Sequence, residues 1–345
     1  MCGIHIEFLL GWDPYKVPTM EVQVLTTVKN FLAMIDRHFD KRINKCVPAN
    51  LFHSRLRTFT LHYFLGFEIG RLNGFLTLSQ CKFTTELIRY SGILESPNLL
   101  QHPATPLPLH LKLNPDDGVL LPAPGYYRSL VGKLNFLINT RPDLAFSVQT
   151  LSQYMQAPRE PHLKALHHLL SYVHYTACKG LLLEGSTKLN LQAFSALDWA
   201  AYTTTRKLVT GYVVKLGNIP ISWKSKKQST ISRSSAKAEY RAMAQASSEV
   251  TWLVRLLEDL GVSNLAPVTL HCDNTSTIHI VKNPVFYERT KHIKIDCHLT
   301  RAKVMEGLIT LAHVPTVDQI ADILTKVLPA PQHHFLLSKL GLVDC

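Results

Sequence analysis

The sequence predicts an α/β protein in which a one-sheet domain follows a largely helical module. Two observations predict the sheet domain. Three short runs rich in β-branched residues come one after another, at 189–198, 210–215 and 219–231. Alternating helical and strand patterns then follow, with a helix at 235–260, a strand at 268–272, a helix at 274–282, a strand at 308–314 and a helix from 316. This order is typical of three antiparallel strands followed by alternating helices and strands.

The chain before this domain begins without clear periodicity. Residues 1–57 contain one amphipathic stretch and little else that predicts structure. Two β-rich runs between 58 and 80, joined across 70–74, predict a hairpin, because the connection contains Asn73-Gly74. A helix is expected at 81–90.

Seven of the nineteen prolines lie between Pro97 and Pro124, which predicts an extended linker over 96–125. Helices are expected after it at 126–139, from Arg141-Pro142 onward and from Pro161 to about 176. The predicted divisions are an N-terminal segment at 1–57, a module at 58–185, the sheet domain at 186–330 and a C-terminal tail at 331–345.

Composition limits the class of protein. The 345 residues are 46% hydrophobic and 18% charged, which is enough apolar material to bury cores and argues against disorder. The net charge of +12 favours a polyanionic partner, either nucleic acid or an anionic membrane surface. Seven cysteines without a C-x-x-C spacing argue against a disulfide framework and a structural zinc site. We therefore expect a soluble intracellular protein without a membrane span, in either cytoplasm or nucleus.

Three carboxylates are candidates for chemistry, and each has an ordinary alternative. Glu239 lies on the apolar stripe of the long helix, either as a first-turn residue that favours the helix dipole or as a metal ligand. Asp273 follows a strand and is either a helix N-cap or a strand-end functional group. Asp322 lies in the last predicted helix, which Thr316 and Gln319 would open as a capping box. Together the three could converge on a hard cation such as Mg²⁺.

Two groups of motifs, one in the sheet domain and one upstream of it, carry a family resemblance. The motifs LDWAAYTTTRKLVTGYVVKLGNIPISWKSKKQSTISRSSAKAEYRA, LHCDN, NPVFYERTKHIKIDCH and VPTVDQIADILTK closely resemble the ribonuclease H domain of copia-type retrotransposon Pol polyproteins in order and spacing. Upstream, LHYFLGFEI, LSQCKF and YYRSLVGKLNFLINTRPDLAFSV resemble the end of the reverse transcriptase palm and its thumb-like region. The resemblance implies a palm remnant and thumb-like helices at 58–185 and a ribonuclease H-like domain at 186–330. It covers most of 58–328.

The resemblance also implies a site. Its catalytic carboxylates correspond to Glu239, Asp273 and Asp322, which would hold Mg²⁺ or Mn²⁺, and to one aspartate on the first strand. There the family pattern is S-D-A-D-W, and this chain has Ser195-Ala196-Leu197-Asp198-Trp199, so that Ala196 replaces the first aspartate. Asp198 is the remaining candidate, but it lies ~6–7 Å further along the strand. The family's Y-V-D-D polymerase motif is absent from 1–57, and Asp116-Asp117 lies in the linker, so polymerase activity is not expected.

Basic residues give a candidate nucleic-acid surface. Lysines interleaved with an aromatic suit a phosphate backbone and a base, although an edge strand protected by lysines has the same pattern. The spacing of His292, Asp296, Cys297 and His298 matches no zinc site. The predicted nucleic-acid-binding residues are Trp223, Lys224, Lys226, Lys227, Arg233, Lys291, Lys294 and Arg301.

The implied function is metal-dependent hydrolysis of the RNA strand in an RNA–DNA hybrid, impaired by Ala196. One alternative is a catalytically inactive nucleic-acid-binding or structural remnant of a transposable element. Another is an unselected gene model, which the atypical residues 1–52 would fit. Four carboxylates would favour the enzyme, and three favour the remnant. The sequence does not indicate an oligomeric state.

Overall fold

The computed structural model describes residues 63–345 except for 65, 73–74, 97, 99, 101, 185–188, 199–207, 229–234 and 283–293. Residues 1–57 lie outside the described part of the chain. The strands are β1 Tyr63–Phe64, β2 Phe67–Leu72, β3 Phe75–Ser79, β4 Lys179–Leu183, β5 Leu191–Asp198, β6 Val209–Leu216, β7 Ile219–Lys227, β8 Val268–Cys272, β9 Ile309–His313 and β10 Leu342–Asp344. The α-helices are α1 Cys81–Tyr90, α2 Pro124–Leu137, α3 Ala145–Ser152, α4 Glu160–Tyr175, α5 Ser235–Asp259, α6 Thr275–Lys282, α7 Lys294–Met305 and α8 Ala330–Lys339.

The first sheet is antiparallel throughout, in the order β1-β2-β3-β4-β10. The first run of the predicted hairpin is two strands, because the chain folds back at Gly66, whose positive φ of 84° suits glycine. The predicted tail at 331–345 is also part of this sheet. Gly341, at a φ of 70°, follows α8 and returns the chain as β10 beside β4. The tail folds because Leu336, Leu337 and Leu342 bury one apolar side.

The segment predicted as an extended linker is irregular, but it is packed onto the helices. Leu107 and Leu113 are buried in the same core as α2 and α4. The Arg159 guanidinium donates hydrogen bonds to the carbonyl oxygens of Pro115 and Gly118, at 2.8 and 2.7 Å. The segment 96–125 therefore buries apolar residues and has hydrogen-bonded carbonyl oxygens, which its high proline content did not predict.

The second sheet confirms the predicted fold class. Its order is β7-β6-β5-β8-β9, with β7, β6 and β5 antiparallel and β5, β8 and β9 parallel. The predicted stripe of α5 covers one face, and every member of it is buried: Ala242, Ala246, Val250, Leu253 and Leu257. α7 packs beside α5, in the stretch between 282 and 308 for which the sequence predicted no helix or strand.

The chain after β9 differs from the prediction of a last α-helix. Two short 3-10 turns replace it, at Thr316–Asp318 and Ile320–Leu324, with Gln319 extended between them. The cause is the side chain of Gln319, which is fully buried. Its Nε2 donates to the carbonyl oxygen of Ser195 at 3.0 Å, and its Oε1 accepts from the N–H of Ala321 at 3.3 Å. The predicted capping box is therefore wrong, and Gln319 instead anchors the turn to β5.

Candidate active site

The three predicted carboxylates come together at the end of the second sheet. Glu239 extends from the first turns of α5, Asp273 follows β8, and Asp322 lies in the second 3-10 turn. One carboxylate oxygen of Glu239, the Sγ of Cys272 and one carboxylate oxygen of Asp273 lie within 4.8 Å of one another. Asp322 adds to the electrostatic repulsion that Asp273 exerts on Glu239. The site thus joins a helix, a strand end and a turn that are far apart in sequence.

Strand register explains why the aspartates face one another. β5 and β8 are parallel with Phe194 beside His271, and the two rings stack at 4.5 Å. Because side chains alternate along a strand, Ala196 and Asp198 share the face of Phe194, and Asp273 shares the face of His271. The turn that carries Asp322 covers the same face.

Gly211 lets that turn approach the sheet. It pairs with Ala196 across β5 and β6. A Cβ at this position would lie 2.8 Å from the Leu324 Cβ and 2.9 Å from the Thr325 Cγ2, closer than atoms can pack. A glycine in β6 is therefore a condition for seating the turn, and with it Asp322, against β5.

Glu239 is held in an environment that disfavours its charge. Its side chain is 8% exposed, and its Oε2 is buried without a hydrogen-bond partner. Burial raises the pKa of Glu239 from 4.5 to about 8, and the negative charges of Asp273 and Asp322 add to the increase, which Lys326 partly offsets. Perturbation of this kind is common at functional sites, and an oxygen without a partner leaves a donor position for a cation.

Asp322 is also buried, but it has a cation beside it. It is 3% exposed, and the Lys326 Nζ lies 2.7 Å from its Oδ2. Burial raises the pKa of Asp322 from 3.8 to about 6, although Lys326 opposes the increase; Asp273 and Asp198 raise it further. Lys326 was not among the predicted site residues. Its spacing of four residues from Asp322 was the available signal.

The first-strand position holds no carboxylate. Ala196 is 1% exposed and lies in an apolar cluster with Ala321 and Leu324, which flank Asp322 in the turn. Asp198 is half-buried, and its charge reaches Asp322. Neither Asp198 nor Asp322 is in the cluster of ligand atoms within 4.8 Å that Glu239, Cys272 and Asp273 form in the described part of the chain, and Asp322 is linked to it through its charge.

The donor set fits a hard cation. Carboxylate oxygens are the ligands that Mg²⁺ prefers. Burial, followed by the charge of Glu239, raises the pKa of the Cys272 thiol to about 12, so the thiol stays protonated and is a poor ligand. The unpartnered Oε2 of Glu239 is the specific observation that matches a missing positive charge.

The predicted nucleic-acid-binding residues of β7 lie on two different faces of the sheet. Trp223 is 6% exposed, and its indole N–H donates to the Ile138 carbonyl oxygen at 3.2 Å, so its prediction as a base-stacking residue is wrong. Lys227 donates to the side chain of Gln153, on the sheet face that carries Trp223. Lys224 and Lys226 alternate to the other face, where Lys226 is exposed.

The remaining predicted basic residues are only partly described. Arg301 lies half-buried on α7. Lys294 begins α7, but its side chain is not among the described ones, and Arg233 and Lys291 lie outside the described residues. In the part of the chain that is described, helices fall short of the length and apolarity needed to cross a bilayer.

Comparisons with known proteins give the family. No protein-family model matches the chain. The chain is 41% identical over 283 residues to a retrovirus-related Pol polyprotein from transposon RE2 of Arabidopsis thaliana, covering 82% of this chain and 19% of that protein. It is 32% identical over 248 residues to a retrovirus-related Pol polyprotein from transposon TNT 1-94 of Nicotiana tabacum, covering 69% of this chain and 18% of that protein.

Among solved structures, ribonuclease H1 of the archaeon Halobacterium salinarum NRC-1 matches with 17% identity and a TM-score of 0.28, over 39% of this chain and 94% of that one. The chain spans about a fifth of the length of the curated Pol relatives that it matches. The sequence identity over most of the chain shows that it belongs to the copia-type retrotransposon Pol polyprotein family.

Proposed function

We propose that the second sheet domain is a ribonuclease H-type phosphodiesterase that hydrolyses the RNA strand of an RNA–DNA hybrid, with activity reduced by the loss of one carboxylate. The supporting observation is the convergence of Glu239, Asp273 and Asp322, in which a buried carboxylate oxygen has no partner. Buried carboxylates that repel one another are costly for a fold, and a cation would remove that cost.

Glu239, Asp273 and Asp322 would hold Mg²⁺ or Mn²⁺. When bound, such an ion lowers the pKa of a coordinated water and neutralises charge on the leaving oxygen. The chain itself positions the ligands: Gln319 fixes the turn of Asp322 against β5, and Lys326 limits the repulsion between Asp322 and its neighbours.

Ala196 accounts for the proposed impairment. It occupies the strand position beside the turn of Asp322, where a carboxylate would reach the cluster. Asp198 has the right face, but it lies ~6–7 Å further along the strand. Ligand distances in metal sites vary by only tenths of an ångström, so Asp198 is a poor substitute.

A second candidate function is nucleic-acid binding without catalysis. Its support is that Lys326 already supplies one positive charge to the site, and that Lys224 and Lys226 lie on β7 at the edge of the sheet. Phosphate contacts depend on these cations and not on the carboxylates, so binding would survive the loss at position 196. Polymerase activity is not part of either proposal.

Cleavage of a labelled RNA–DNA hybrid in Mg²⁺, repeated in Mn²⁺, tests the first proposal. Ala196→Asp should raise the rate at least about tenfold, which requires only ~1.4 kcal/mol of transition-state stabilisation. Ala196→Asn is the matched control, because it has nearly the same shape without the charge, and it should give no gain. Combining Ala196→Asp with Glu239→Gln should abolish the gain. A folded Ala196→Asp protein that cleaves no faster than the parent would contradict the proposal and leave binding without catalysis.

A further inference from the structure

Three cysteines lie beside the ends of neighbouring strands of the first sheet: Cys81 begins α1 two residues after β3, Cys178 precedes β4 and Cys345 follows β10. β3 and β4 pair as far as Leu78 and Leu181, and a Cβ on Gly180 would lie 2.8 Å from the Ser79 Cβ, so Cys81 and Cys178 each lie two residues beyond neighbouring positions. On the other side, the N–H of Cys345 donates to the carbonyl oxygen of Cys178 at 3.0 Å. Cys178 therefore lies between the other two.

The thiols of this row are not equivalent. The Cys81 and Cys178 thiols interact, and after burial Cys178 is the next cause of the raised pKa of Cys81. The Cys345 thiol instead donates to the Val343 carbonyl oxygen at 4.0 Å and interacts with the Thr77 side chain, and its Sγ lies only 2.8 Å from where a Cβ on Gly180 would stand. Cys345 thus turns toward Gly180 and Thr77, and the facing pair is Cys81 with Cys178. All three are free thiols, with Cys178 exposed and Cys81 half-buried.

We propose that Cys81 and Cys178 form a redox modification site that closes to a disulfide under an oxidant of the glutathione disulfide class. The Cys178 thiolate attacks glutathione disulfide, which gives a mixed disulfide and releases one glutathione. The Cys81 thiolate then attacks the Cys178 sulfur, which forms the Cys81–Cys178 bond and releases the second glutathione. Two protein thiols lose two electrons and two protons, and one glutathione disulfide becomes two glutathiones.

The exposure of Cys178 and the raised pKa of Cys81 determine the order of these two steps. Cys178 is exposed and meets the oxidant first. Burial and the neighbouring Cys178 raise the pKa of the Cys81 thiol to about 12, so its thiolate is scarce and the closing step is slow. The bond would join the start of α1 to β4 and close a loop that contains α2, α3 and α4. Loops of this length gain the most from a cross-link in the chain-entropy model.

Peptide mapping of the full chain distinguishes the possible pairings. Trypsin separates the three cysteines into the peptides 72–82, 165–179 and 340–345, because lysine or arginine bounds each of them. After incubation with glutathione disulfide and blocking of free thiols, we expect peptide 72–82 linked to 165–179 and five of the seven cysteines blocked. The midpoint of thermal unfolding should rise on oxidation and return on reduction.

Cys345→Ser is the matched control, since it removes the adjacent thiol and should leave the cross-link intact. Cys178→Ser and Cys81→Ser should each abolish it while the reduced proteins keep the parent circular dichroism spectrum. A link between 165–179 and 340–345, or no link in the parent chain, would overturn the proposal. The peptide map of the oxidised parent chain shows whether Cys81 and Cys178 are linked, even if a serine variant fails to fold.

Discussion

Replacing Glu239 with glutamine should stabilise the protein, and increasingly so as the pH rises. The pKa of Glu239 is raised from 4.5 to about 8, mainly by burial. Below pH 4.5 both folded and unfolded states hold the proton, so the residue carries no electrostatic penalty. Between pH 4.5 and 8 the unfolded state ionises first, and the free energy of unfolding falls. At 1.36 kcal/mol per pKa unit, the loss reaches about 5 kcal/mol above pH 8.

Urea unfolding from pH 4 to 9 in the presence of a chelator measures this effect. The free energy of unfolding of Glu239→Gln minus that of the parent should be near constant below pH 4.5 and grow on the order of 5 kcal/mol by pH 8. Glu258→Gln is the matched control, because Glu258 is an exposed residue of the same helix. Adding Mg²⁺ should flatten the parent's curve and leave that of the variant unchanged. If the difference in the free energy of unfolding between the variant and the parent stays constant from pH 4 to 9, the claim that Glu239 is a buried carboxylate without a bound cation is wrong.

Two further predictions concern a buried ion pair and the lysines of β7. Asp143→Asn should lower the free energy of unfolding in urea by about 3–5 kcal/mol, because it leaves the buried guanidinium of Arg141 without its carboxylate. Asp344 forms an exposed ion pair with Lys179, so the control Asp344→Asn should change the free energy of unfolding by less than about 1 kcal/mol. Lys224→Ala with Lys226→Ala should lower the slope of log affinity for hybrid against log salt by up to ~2 units, and Lys227→Ala should leave it unchanged, since Lys227 is turned to Gln153. Equal slopes for all variants would argue against phosphate contacts on β7.

Local patterns predicted the second sheet domain well. The strand at 268–272 has its predicted bounds, and the other strands of that domain differ mainly at their ends. In the preceding module, the helix at 81–90 also has its predicted bounds. The long helix ends within one residue of its prediction because its stripe of alanine, valine and leucine positions continues from Ala242 to Leu257, close to the end of the helix. The convergence of Glu239, Asp273 and Asp322 was predicted from their places on a helix, after a strand and in a last element, together with the family resemblance.

What the sequence could not show depends on partners far along the chain. Trp223 has the pattern of an exposed aromatic among lysines, yet its partner Ile138 is 85 residues away. Gln319 has the spacing of a capping residue, but its side chain donates a hydrogen bond to the carbonyl oxygen of Ser195, 124 residues away. β10 is short and pairs with β4, which is separated from it by the entire second domain. Periodicity carries no information about such pairings.

Mn²⁺ binding, followed by electron paramagnetic resonance of the free ion, will show whether Glu239, Asp273, Asp322 and position 196 surround one cation site. The parent should bind Mn²⁺ weakly, and Ala196→Asp should tighten binding by at least about 10- to 100-fold, while Ala196→Asn should not. Glu239→Gln in the Ala196→Asp background should remove the gain. Equal affinity for the parent and Ala196→Asp, with both proteins folded, would contradict the claim that the strand position faces the carboxylates.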